Sequence, residues 1–404
     1  MARFPLNLLD DAFQENPWPG LKFLRDEHPV CQVDPGGLRV ISRYDDIADA
    51  LSRPADFSSA AMHQDYHHLP GLDDYFRAQS LISMDPPLHT RRRRIVTKPF
   101  TLQSMRDRQP AMESLVSGLF GALARSRSVD FIRDFAVPLP VTTMAHLLGV
   151  STNRLEDFKR WSDDIISFQV ITGMARGPER EAREAQLLDS AGAFHSYFSA
   201  EIDSRRDHQG DDLISLLLRA GDGKAALSRN EIIAMIRLLL GAGNESSAYL
   251  MGFGLLALHR HPQQWTLLQD DPDLVDGFIE EVLRYTGPFF GVFRTTTGPV
   301  SCGGVNLPAG AKVLLALASS GRDERKFEDP DRFDITRHPN PHLGFGAGVH
   351  ICLGMELARL QARCAFRELI ARVRDFTVDE AAIRIRPGLI VRGLQNLPVQ
   401  FTWH

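Results

Sequence analysis

LGFGAGVHICLG, Leu343 to Gly354, sets one cysteine between a glycine-rich loop and the run GMELARLQARCAFRELIARV. In that run Leu357, Leu360, Ala365 and Leu369 recur at helical spacing, so a helix is predicted to begin beside Cys352. A helix N-terminus favours an anion, and it is one of the settings that draws a thiol toward the thiolate, the form that ligates metal. Gly344, Gly346 and Gly348 permit turns closed to other residues and let the chain pass close to a flat, bulky ligand. A free cysteine taken alone is most often a small buried hydrophobe. The residues around Cys352 argue for more.

Phe345, Gly348, His350, Cys352 and Gly354 fit the spacing F-x-x-G-x-[HR]-x-C-x-G, and in this the chain resembles the cytochrome P450 family. The resemblance implies a mainly α fold with a small β region, in which a long central helix lies over a b-type haem. It implies Cys352 as the axial iron ligand, Phe345 beside the sulfur, Gly354 against the haem, and His350 reaching a propionate. A thiolate ligand pushes electron density onto iron and favours O–O cleavage.

The chain has 404 residues, read as one domain over 1–404, with 43% hydrophobic and 24% charged residues and a net charge of -5. That composition belongs to an ordinary globular protein with material for a large core. It gives no footprint for nucleic acid, and no like-charge tail is present. Cys31, Cys302, Cys352 and Cys364 are scattered without a C-x-x-C pair, which points away from zinc and from a disulfide framework. The opening MARFPLNLLDDAFQENPWPG holds no apolar segment long enough for a signal peptide or anchor. The expectation is a soluble, cytoplasmic, bacterial-type protein, monomeric and without a membrane.

Along the chain, WPGLKFLRDEH reads as a helix, DPGG at Asp34 to Gly37 as the turn of a hairpin, LRVISRY as a strand and YDDIADALS as a helix. The segment from Pro54 to Met84 has no sustained period and reads as a long loop. Its His63, Tyr66, His67, His68 and Tyr75 lack the spacing of a closed metal site. In DPPLHTRRRRIVTKPF the prolines open a helix, and His89 and Arg93 share one face of it. The stretch matches the family's D-P-P-x-H-x-x-x-R. By resemblance His89 and Arg93 hold haem propionates, where a guanidinium fork suits a carboxylate. Arg91, Arg92 and Arg94, with Lys98, are then candidates to dock an acidic, ferredoxin-type electron donor.

Residues 109–225 read as helical, and by resemblance FKRWSDDIISFQVITGM and EAQLLDSAGAFHSYFSAEIDSRR are the helix pair above the substrate channel, with Ile165, Phe168 and Ile171 as lining candidates. Ser228 and Glu231 form a capping box for a helix that runs to His261-Pro262, about 50 Å at 1.5 Å per residue. Its middle, LLLGAGNESSAYLMG, carries Gly241 and Gly243, which cost helix stability unless packing or a ligand requires them. The stretch is similar to the family's [AG]-G-x-[DE]-T motif, with Ser246 in place of threonine. Ala242 and Gly243 would lie against the haem, Leu239 would face the pocket, and Glu245 and Ser246 would deliver protons. Serine keeps the hydroxyl but loses the methyl that stiffens threonine.

Glu281 and Arg284 make an E-x-x-R pair on one helical face. By resemblance they form a buried ion network with Arg332, or with Arg337 as its substitute. Arg294 matches a further propionate partner. Phe289, Phe290, Val292 and Ile390 are apolar pocket candidates, and Arg392 is a candidate anchor for an acidic group. The implied activity is a haem-thiolate monooxygenase that places one oxygen atom of O₂ into a hydrophobic small molecule, with electrons from NAD(P)H through a ferredoxin and its reductase. A haem-thiolate peroxygenase and a haem-based sensor are the alternatives. Retention of Glu245 and Ser246 speaks against the first, and the absence of an output domain against the second.

Overall fold

The computed structural model describes residues 3–34, 36–60, 78–126, 128–171, 177–207, 210–220 and 227–404, without the side chains of 166 and 168–171. The histidines and tyrosines of the 61–77 stretch and the Phe168 and Ile171 side chains therefore lie outside the described residues. The described chain is mainly helical with a small β region.

Its contacts fall into two compact units, one of residues 1–59, 102–139 and 246–404, the other of 60–101 and 140–245. The chain passes from one to the other four times, so neither unit is a continuous stretch.

The first unit carries a six-stranded sheet in the order Arg3–Asn7, Val30–Asp34, Leu38–Ile41, Lys312–Leu315, Val292–Thr296, Phe57–Ser58. Val30–Asp34 and Leu38–Ile41 pair antiparallel as the DPGG turn requires, with Gly36 and Gly37 at positive φ. The latter strand pairs parallel with Lys312–Leu315. LPAGAKVLLALASS is strand only in part, because it closes in a short helix, Leu317–Ser320. Core residues pack on both sides of this sheet: Ile41, Val313 and Leu315 against Ile47 and Leu51, and Cys31, Val40 and Leu314 against Leu21 and Leu24. That alternation is the period-2 pattern of a sheet buried on both faces.

Three helices of the same unit pack behind the cysteine loop. Met355–Arg372 lies against Leu102–Leu123 and against Val275–Thr286. Phe278 meets Phe366 edge to face at 4.6 Å between centroids. Gly254 leaves room for both rings, since a Cβ there would come within 2.6 Å of Phe366.

The second unit contains Leu88–Thr97, Pro138–Leu148 from its third residue on, Leu155–Ile171 and Pro178–Ser204. Phe158, Trp161, Phe194, Tyr197 and Phe198 interlock between the last two. The long helix Arg229–Arg260 has its first half in this unit and its second half in the other. The capping box is present: the Glu231 carboxylate accepts from the Ser228 N–H at 2.8 Å, and the Ser228 hydroxyl from the Glu231 N–H at 3.3 Å. Pro262 opens the next helix.

Gly241 has a packing reason to be glycine. A Cβ on it would meet Ile165 Cγ2 at 2.8 Å, so the two helices approach through that gap. Gly118, in the C-terminal third of Leu102–Leu123, has nothing within 4 Å of the same position. Gly118→Ala should therefore stabilise the protein by about 0.5–1 kcal/mol, whereas Gly241→Ala should destabilise it by about 1–3 kcal/mol through overpacking. Urea unfolding of both variants checks the opposite signs.

Candidate active site

The cysteine loop begins after Leu343, which is buried, and ends at Gly354, the N-cap of Met355–Arg372. Cys352 thus stands two residues before the cap, just outside the helix that the periodicity places beside it. Its backbone N–H donates to the Phe345 carbonyl at 2.9 Å, which closes the loop on itself. Gly346 and Gly348 both adopt positive φ, and a Cβ on Gly348 would press within 2.5 Å of the Leu51 carbonyl. Other residues are strained at such φ.

Phe345, Val349, Ile351, Leu353 and Met355 are all half-buried, so the loop presents an apolar surface that the protein itself covers only in part. A Cβ at Gly354 would enter open space. Burial pushes the thiols of Cys31, Cys302 and Cys364 up to about 11, 12 and 12. Cys352 is the one cysteine that is not buried. A flat apolar group with a soft metal at its centre fits this donor and this surface.

On the long helix, Ala242 is exposed and Gly243 and Ser246 are half-buried, in the midst of residues that are otherwise buried. Glu245 is buried. Positions 242, 243 and 246 share a face, while Asn244 and Glu245 turn inward. Leu239 is buried in the helix.

The propionate candidates lie on three elements of the chain. His89 is buried at the start of Leu88–Thr97, and Arg93 is half-buried one turn on. Arg294 is buried on the strand Val292–Thr296, where its guanidinium also donates to the Phe293 carbonyl at 2.7 Å. His350 is half-buried in the cysteine loop.

Several expectations are corrected. Arg332 is not the third cation of the ion network: its side chain is 65% exposed and pairs with Asp334 at 3.3 Å, and only its carbonyl accepts from Arg284. Arg337 fills the place, 3.3 Å from Glu281. Two residues that sequence reasoning missed complete it, since Asn340 Nδ2 and the Asp334 N–H also donate to the Glu281 carboxylate. Phe290 is fully buried and packs edge to face on Phe13, so it is core and not pocket. Phe289 and Val292 are partly buried against the sheet core, and Ile390 is half-buried with its carbonyl held by the Phe290 N–H at 2.7 Å. Ile165 is half-buried and packs over Gly241.

Arg392 is buried and donates to the Gln14 and Glu15 carbonyls at 2.6 and 3.0 Å, clipping the C-terminal end of the short helix Asp11–Glu15. That is a structural use of its charge. Arg92 pairs with Glu231, whereas Arg91, Arg94 and Lys98 are exposed.

Comparison with known proteins agrees with the geometry. The cytochrome P450 family model matches residues 157–381. Cytochrome P450 107B1 of Saccharopolyspora erythraea is 36% identical, with 97% of this chain and 96% of that protein covered. The steroid C26-monooxygenase of Mycobacterium tuberculosis is 34% identical over 94% of this chain and 92% of its own. The solved structure of cytochrome P450 CYP109Q5 from Chondromyces apiculatus superposes with a TM-score of 0.88 at 33% identity, covering 99% of each chain.

The chain belongs to the cytochrome P450 family. It is a P450 monooxygenase, an oxidoreductase that uses b-type haem and receives NAD(P)H electrons through redox partners. Among the described residues no helix is long and apolar enough to cross a membrane.

Because Glu281 has no exposed surface, removing Arg337 takes away one of the buried partners of its carboxylate, although Arg284 stays paired with it. Arg337→Ala should cost about 2–4 kcal/mol, and Arg332→Ala less than about 0.5 kcal/mol. Chemical denaturation of the two variants side by side measures the difference.

Proposed function

We propose that Cys352 holds the haem iron and that the enzyme hydroxylates a hydrophobic small molecule of the steroid, terpenoid or polyketide type. The observation that carries the ligand assignment is that Cys352 alone among the four cysteines escapes burial, within a half-covered apolar loop. The relative named as a steroid C26-monooxygenase supports the substrate class, as do the apolar candidates Phe289, Val292 and Ile390.

When bound, the haem supplies dioxygen activation, one oxygen atom passing to the substrate and the other leaving as water. The protein's residues do the rest. Phe345 would give the porphyrin an apolar ring, and Ala242, Gly243 and Gly354 would give it surfaces without bulk. His89, Arg93, Arg294 and His350 meet its propionates, where charge-assisted hydrogen bonds are the strong ones. Glu245, buried beside the half-buried Ser246, would pass protons inward, and the Ser246 hydroxyl would hand them to the reaction site. Ile165 and Leu239 line or back the substrate space.

A ferredoxin-type donor would dock on the exposed Arg91 and Arg94 with Lys98, Arg92 being spent on Glu231. Complementary charge steers such encounters and makes them salt-dependent. A monomer in the cytoplasm is the working state.

Ser246→Ala should lower product formed per NADPH roughly tenfold and raise peroxide release correspondingly. That is below the ~10²-fold of a sole proton donor because water can occupy the vacated space. Ser246→Thr should restore or improve coupling. Unchanged coupling in the alanine variant would remove Ser246 from the proton route. Product, NADPH and peroxide are quantified together, after a Soret titration with steroids, terpenoids and fatty acids has named a substrate.

A further inference from the structure

Two adjacent glutamates on Val275–Thr286 serve different segments. Glu281 holds Arg284, Arg337 and Asn340, as described above. Glu280 faces another way and takes both ends of the cysteine loop. Its Oε1 accepts from Arg359 Nε at 2.8 Å and its Oε2 from Arg359 Nη2 at 2.9 Å, the planar fork of an arginine on a carboxylate. Arg359 sits in the first turns of the helix that follows Cys352. The same Oε2 lies 2.9 Å from His342 Nε2, at the entry to the loop.

The histidine is fixed in turn. Its Nδ1 accepts the Gly344 N–H at 3.0 Å, so the imidazole proton sits on Nε2 and is donated to Glu280. Gly344 must stay small for this, since a Cβ would stand 3.1 Å from Nδ1 and 3.3 Å from Leu283. Between the two arms lies Phe345. The Arg359 guanidinium sits 4.8 Å from its ring centroid, and the His342 ring centroid is 6.2 Å away. The Phe345 carbonyl accepts the Cys352 N–H. Burial pushes the Glu280 carboxyl up, but its bonds to His342 and Arg359 outweigh that and hold it at about 2, so the carboxylate stays charged across the working range.

We propose that Glu280, with His342 and Arg359, is a positioning bracket that clamps the entry and exit of the cysteine loop together and thereby fixes the Cys352 sulfur as a thiolate ligand. The argument is geometric. A loop that must keep a sulfur at a constant bond length needs both of its ends held, and the E-x-x-R network holds only the chain leading up to it. One carboxylate reaches both arms, so a displacement of either is felt by the other. The Phe345 ring, held between them, carries the constraint to the Cys352 backbone. None of the three residues touches the reacting atoms.

The inference rests on Cys352 being the iron ligand, and the test separates the two. The purified haem-loaded protein is examined as wild type and as Cys352→Ser, Glu280→Gln, His342→Asn and His342→Gln. Asparagine keeps an acceptor near the Nδ1 position for Gly344 and abandons Glu280, whereas glutamine keeps a donor near the Nε2 position and abandons Gly344. The readouts are the Soret position of the ferrous carbon-monoxide complex, which distinguishes thiolate from thiol ligation, its rate of conversion on warming below the melting temperature, and the ferric/ferrous potential.

Glu280→Gln and His342→Asn should convert to the thiol-ligated form about tenfold faster than wild type, the effect of one hydrogen bond to a charged group, with a shifted potential. His342→Gln should fall between them and wild type. Wild-type conversion rates and potentials in Glu280→Gln and His342→Asn would overturn the bracket, even if their melting temperatures fell. Should Glu280→Gln fail to load haem, the milder His342→Asn alone decides the question. A thiolate-type band surviving in Cys352→Ser would instead overturn the ligand assignment.

Discussion

A carboxylate with no exposed surface must be met by cations and donors, and Glu281 makes that demand on the helix Val275–Thr286. Arg284 answers bidentately at 2.7 Å through both Nε and Nη2, itself without exposed surface. The remaining Arg284 donors take the carbonyls of Gly321, Pro330 and Arg332. Arg337, Asn340 and the Asp334 N–H close the other side of Glu281. One pair thus fixes the irregular segment from Gly321 to Asn340, which has little regular structure to hold itself. In a low-dielectric interior a half-satisfied network of this kind is worse than none, so its parts stand or fall together.

The cysteine loop inherits its position from that scaffold. It leaves the pinned segment at His342, turns through glycines at positive φ, and enters the helix Met355–Arg372. The helix is packed on two others and on the Phe278–Phe366 contact. A sulfur proposed as an iron ligand has to be both accessible and immobile. Those demands conflict in an ordinary loop, because exposure removes the packing that would hold it. Here hydrogen bonds and ion pairs hold the chain on either side of the loop, while Phe345, Val349, Ile351 and Leu353 within it stay half-buried.

The long helix meets a similar conflict. Its small residues look alike in sequence, yet Gly241 is filled by Ile165 while Ala242 is left exposed one residue later. A rotation of 100° per residue separates the packed glycine from the exposed alanine on the same helix. The sequence motif marks the region, and only the neighbours tell which small residue serves which purpose.

The amino-acid sequence by itself determined the family, the order of the elements, the capping box at Ser228, the hairpin at Gly36 and Gly37, the E-x-x-R pair and the cysteine loop. These are local patterns, in which spacing along the chain maps directly onto one turn or one helical face. The tertiary structure alone decided the partners that arrive from elsewhere. Arg332 and Arg337 are equally basic in sequence, but only the fold of the segment between Asp329 and Asn340 turns the second toward Glu281 and leaves the first in solvent. Phe290 reads as pocket and is core because Phe13, nearly three hundred residues earlier in the chain, packs against it. Glu280 gives no signal beside Glu281, since adjacent helical positions point 100° apart and what each one meets is set by chain that folds against them from far away. Side-chain type and period are properties of a short stretch, whereas pairing and burial are properties of the whole packed chain.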